Sequence, residues 1–89
     1  MPSRYQPIGN YLAGQPPETV TVTLTLSDVE RVLGQPLPQG ARARTWWANS
    51  WGTTRARVWL MAGWRVDTVA LRVGTPTVTF VRGTPDTTA

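Results

Sequence analysis

Eighty-nine residues, 40% hydrophobic and 16% charged, describe a globular chain with room for one modest core rather than two. Nine arginines against five acids, with no lysine, leave a net charge of +4 and favour an acidic partner. The absence of cysteine and histidine excludes disulfides and thiolate chemistry, and removes the common zinc ligands and the usual general base.

No apolar run reaches bilayer length, and the opening MPSRYQPIGNYLAG has no signal-peptide core, so the expected location is cytoplasmic, with no membrane partner. After a loose lead-in over Met1–Gln6, Pro7 suits the first turn of a helix and Gly14 its C-terminal cap. Ile8, Tyr11 and Leu12 fall at i, i+3 and i+4, an apolar stripe for the core. Thr19–Thr25 alternates as TVTVTLT, a half-buried strand with Val20, Val22 and Leu24 on one face and threonines on the solvated one. Ser27 and Glu30 have capping-box spacing for a second helix, which turns Val29, Val32 and Leu33 inward and ends at Gly34. Capping accounts for Asp28 and Glu30 without a catalytic carboxylate pair.

Gln35–Gly40, QPLPQG, excludes regular structure and leads into Ala41–Val66, which holds all five tryptophans and five arginines without an acid. If Ala41–Thr45 is extended, Arg42 and Arg44 share one side, and Trp46 and Trp47 point opposite ways, one to the core and one to the surface. A third helix over Thr53–Ala62, capped by Ser50 or Thr53 and closed by Gly63, clusters Trp51, Val58 and Ala62. Thr53, Thr54, Arg57 and Met61 lie opposite. Arg55 falls inside the apolar arc, so its head either escapes past the helix end or is held by a partner such as Asp67.

Apolar residues at 64, 66, 69, 71 and 73 change phase between Asp67 and Thr68, which a bulge explains. Gly74-Thr75-Pro76 turns the chain into Thr77–Arg82, with Val78 and Phe80 inward, completing a hairpin. The ordered core spans about residues 5–82 of a single domain, and Gly83–Ala89 reads as a flexible tail. Three short helices and a small three-stranded antiparallel sheet make an α+β fold. Their order is winged-helix-like, with Tyr5–Ala13, Asp28–Leu33 and Thr53–Ala62 as helices and Arg72–Thr77 as the wing. Gln35–Ser50 is far longer than the three or four residues of a helix-turn-helix turn.

At Trp46-Trp47-Ala48-Asn49, Arg55–Leu60 and Ala62-Gly63-Trp64 the chain resembles a group of small bacterial domains of unknown function. Their pattern combines a VTLT-type strand, an acidic helix ending in Leu-Gly, a Leu-Pro step, a WWAN segment and an AGW turn. The resemblance spans about Tyr5–Arg82 and implies a shared fold and a bacterial or phage origin, without an activity or site residues.

Arginines interleaved with flat rings can neutralise phosphates and stack on bases, so the expectation is a non-enzymatic nucleic-acid-binding domain, with double-stranded DNA favoured. Thr53, Thr54 and Arg57 would approach the major groove, Arg42, Arg44 and Arg72 the phosphates, and Asn49 would be a candidate adenine reader, with a local turn role as its alternative. Arg55 belongs to the same cationic set, and for single strands Trp46 or Trp47 would be the stacking platform. The alternative is a protein-interaction module, or a homodimer paired through the Thr19–Thr25 strand. Scattered acids and no histidine, lysine or cysteine argue against an enzyme, and no cofactor or metal is implied.

Overall fold

In a computed structural model of the chain, described over residues 4–71 and 74–83, the alternating segments form three strands. They are β1 (Thr21–Thr25), β2 (Trp64–Ala70) and β3 (Thr77–Arg82), antiparallel in the order β1-β3-β2. The register pairs Val22 and Val66 with Phe80, and Leu24 and Val69 with Val78, so the apolar sets of all three strands meet on one face. Val69 reaches that face because the pairing shifts between Val66 and Thr68, the bulge expected at Asp67. On the outer face the Thr23 and Thr79 hydroxyls meet at 3.0 Å. The first strand begins later than its alternation suggests: Val20 is 60% exposed and Val22 only half-buried.

Helix α1 (Gln6–Ala13) buries Ile8, Gly9 and Leu12, while Tyr11, expected in the apolar stripe, is exposed. Gly9 is the reason. It lies at a close approach to helix α3 (Thr54–Met61), where a Cβ would lie 2.7 Å from the Val58 carbonyl oxygen. The absence of a side chain therefore sets the helix contact, and Tyr11 is rotated away from it.

Helix α2 (Leu26–Leu33) starts two residues before the expected Asp28. Thr25 is the cap: its hydroxyl accepts from the Asp28 amide at 2.9 Å, and its own amide donates to Asp28 Oδ2 at 3.1 Å. Leu26 is buried and its amide is held by the Pro76 carbonyl, so the helix begins where the strand ends, and Ser27 is left exposed. Glu30, freed from capping, accepts from the Leu37 amide at 2.7 Å. Gly34, at φ 75, closes the helix as expected.

The Thr25 backbone amide holds the Asp28 carboxyl below its ordinary 3.8, aided by the Thr25 hydroxyl and the Arg31 guanidinium. A lowered folded value means that this cap contributes fully above the ordinary value and is lost as pH falls through the folded one. Acid unfolding followed by far-UV circular dichroism should therefore lose part of its pH dependence in Asp28→Ala. A variant with an unchanged acid limb would refute the role.

Between α2 and α3 the chain forms two 3-10 turns, Gln39–Arg42 and Arg44–Trp47, instead of the expected extended segment. The Trp47 indole Nε1 donates to the Ala41 carbonyl at 2.8 Å, and this clasp across six residues requires a folded path. Arg42 and Arg44 therefore do not share a strand face. Trp47 enters the core while Trp46 stays half-buried, the expected division reached by a different backbone.

Helix α3 is capped by Thr53, whose hydroxyl accepts from the Ala56 amide, and Gly63 follows at φ 88. Trp51 precedes the helix and is 47% exposed, so the expected cluster with Val58 and Ala62 does not form. Trp47 and Trp59 stack at 5.8 Å in the core, and the Phe80 ring meets both edge-on. Trp64 is fully buried beneath the Arg82 guanidinium, and its Nε1 has no acceptor among the described residues.

The fold is α+β, three short helices on a three-stranded antiparallel sheet. Helix α1 packs on both α2 and α3, which are linked through the double 3-10 segment and not by a short turn. Among the described residues no helix is long and apolar enough to cross a membrane. Of the expected wing Arg72–Thr77, residues 72–73 lie outside the described residues, as do residues 84–89 of the expected tail Gly83–Ala89.

Candidate nucleic-acid interface

The α3 register places Thr54, Arg57 and Met61 on its solvent side, as their spacing implies. Arg57 Nε donates to the Trp51 carbonyl at 2.8 Å, which fixes the side chain and leaves its two terminal nitrogens without a partner among the described residues. The exposed Trp51 therefore accompanies Arg57, Thr54 and Met61 at the surface. Reading Thr53 rather than Ser50 as the cap would have put Trp51 outside the helix, and Gly52 beside it supports that choice.

Three other candidates have structural partners. Trp47 is 1% exposed and cannot serve as a surface stacking platform. Asn49 Oδ1 accepts from the Val66 amide at 2.8 Å and from Trp59 Nε1 at 3.0 Å, while Nδ2 donates to the Val66 carbonyl at 2.8 Å. It is thus a core tie rather than a base reader or a simple turn residue. Arg55 Nε donates to the Trp46 carbonyl at 2.7 Å and its guanidinium lies 4.7 Å from the Trp46 ring centroid, a local partner in place of Asp67. With Tyr5 and Trp47 also packed on it, Trp46 offers little open ring face.

Thr53 is half-buried and caps α3, whereas Thr54 is exposed. Arg42 is exposed without a partner among the described residues; Arg44 is exposed and reaches the Val69 carbonyl at 3.5 Å. Arg72 lies outside the described residues.

Arg57 lines a cleft between α1 and α3, whereas Arg44 lines another between the second 3-10 turn and β2, with no lining residue in common. The expected single cationic surface is thus divided. It is not neutralised, however. Of the nine arginines eight are described, and among the described residues one, Arg31 with Asp28, forms an ion pair. Glu30 serves the Leu37 amide, and Asp67 accepts from the Thr68 hydroxyl.

These features define a small α+β domain whose candidate surface is centred on the solvent side of α3. A family model described as a domain of unknown function, DUF7662, matches residues 5–84, and the chain belongs to that family. No curated protein and no solved structure matches it.

Proposed function

We propose that the chain is a non-enzymatic, cytoplasmic nucleic-acid-binding domain, with duplex DNA favoured, that meets its ligand on the solvent side of α3. The observation that supports this reading is the set of arginines left without carboxylate partners among the described residues, with Arg57 anchored by its own Nε beside an exposed tryptophan. Arg57 and Thr54 would contact the groove or phosphates, Arg42 and Arg44 would add flanking phosphate contacts, and Trp51 takes over the stacking role first assigned to Trp46 and Trp47. The order of elements and the hairpin after α3 favour winged-helix-like docking, with α3 as the reading element. Binding is preferred to turnover because Asp28, Glu30 and Asp67 all accept local hydrogen bonds.

Exposed Trp51 and Met61 on either side of Arg57 favour a second reading, a protein-interaction surface. A gel shift with duplex DNA, single-stranded DNA and RNA across a salt series separates the two. Nucleic-acid binding should weaken log-linearly with salt, by about 0.9 per phosphate contacted on a duplex. A salt-insensitive protein partner and no shift would favour the second. Arg57→Ala should weaken DNA binding about tenfold, the loss of one charge-assisted contact. Its melting temperature should be nearly that of the parent, because the side chain is exposed; intact binding with a large stability loss would show the surface to be wrongly assigned.

A further inference from the structure

The α1/α3 cleft has a volume of about 390 Å³, within the usual range for small-ligand sites. Its apolar part is formed by Gly9, Ala13, Val58, Met61 and Ala62, and the close helix approach at Gly9 lies among them. Its polar part is formed by Arg57, Thr54, Asn10 and Gln6. No acid lines it. Gln6 Nε2 donates to Asn10 Oδ1 at 3.2 Å, which leaves the Asn10 amide hydrogens, the Thr54 hydroxyl and the Arg57 terminal nitrogens as donors without an acceptor among the described residues.

We infer that this cleft binds a small amphipathic organic carboxylate, its head group on Arg57 and its apolar tail along Ala13, Val58 and Met61. One guanidinium matches the single charge of a carboxylate and can grip it through two parallel hydrogen bonds. A phosphate monoester carries nearly twice that charge and has no second lining cation among the described residues to meet it. A wholly apolar ligand would leave the guanidinium uncompensated. The bond from Arg57 to Trp51 holds the side chain before the ligand arrives, which lowers the ordering cost of binding. The inference stands apart from the nucleic-acid reading: carboxylate binding without DNA affinity would uphold it, and DNA affinity without carboxylate binding would refute it alone.

The test is an amide-resolved NMR titration of the purified protein with octanoate, 1-octanol and inorganic phosphate. Octanoate should shift the Gly9, Ala13, Val58 and Ala62 resonances in a saturable manner, with octanol and phosphate each at least about tenfold weaker. Arg57→Gln should weaken octanoate by about tenfold and Met61→Ala by roughly threefold, with both spectra otherwise native because both side chains are exposed. Equal binding of octanol or phosphate, unchanged affinity in Arg57→Gln, or no saturable shift at these amides would overturn the assignment.

Discussion

Trp59→Ala is expected to lower the unfolding free energy by about 3–5 kcal/mol, the cost of truncating a fully buried aromatic. Trp59 has no exposed surface, stacks on Trp47, meets Phe80 edge-on and donates Nε1 to Asn49. Alanine removes all of these contacts and opens a void where helix, linker and sheet converge. A domain of this size has roughly 5–15 kcal/mol in total, so the variant should sit near its unfolding midpoint under mild denaturant. Trp59→Phe, which keeps most of the packing and loses the indole donor, should lose much less. Urea unfolding would show the loss as a lower midpoint at unchanged slope; a normal midpoint in Trp59→Ala would place the ring outside the core.

Asn49→Ala should lose about 3 kcal/mol although the side chain is small and only half-buried. Its amide satisfies three groups at once: the Trp59 indole, the Val66 amide and the Val66 carbonyl. Each buried polar group left without a partner costs about 1–3 kcal/mol, and water can reach some of the three. Asn49→Asp gives a sharper check. An ionised carboxylate still accepts from both donors but faces the Val66 carbonyl without a proton to share, whereas the protonated acid can donate to it. The variant should therefore regain stability as pH falls, opposite in sign to the loss at the Asp28 cap. Losses from Asn49→Ala and Trp59→Ala should be less than additive, because the two side chains share a bond. A harmless Asn49→Ala would show that solvent replaces the tie.

Features decided by nearest neighbours were legible in the chain. The bounds of β3, the bulge at Asp67, the left-handed Gly34 and the outward side of α3 follow from alternation, phase and cap chemistry. What was not legible depends on contacts between distant residues. Thr25 and Ser27 can both cap a helix, and burial of Leu26 together with its bond to Pro76 selects the earlier start. The 3-10 path of the linker follows from an indole reaching back to Ala41, which no periodicity encodes. Asn49 looks like a turn residue until β2 is beside it. The run of arginines without an acid was legible, but not the placement of Arg57 and Arg44 in separate clefts, which depends on how the linker folds.

The Asn49 and Arg44 contacts also govern how molecules of this protein can add to one another. Asn49 occupies the outer hydrogen-bonding groups of Val66, and Arg44 reaches the Val69 carbonyl, so side chains from the linker stand where a fourth strand would join β2. On the opposite border, β1, Asp28 Oδ2 takes the Thr25 amide at the end of the strand, but no side chain among the described residues bonds the backbone of Thr21 or Thr23. Sheet extension is therefore possible from one border alone, and a two-fold pairing there consumes it. Polymerisation into filaments needs two open borders per molecule, and this arrangement leaves one.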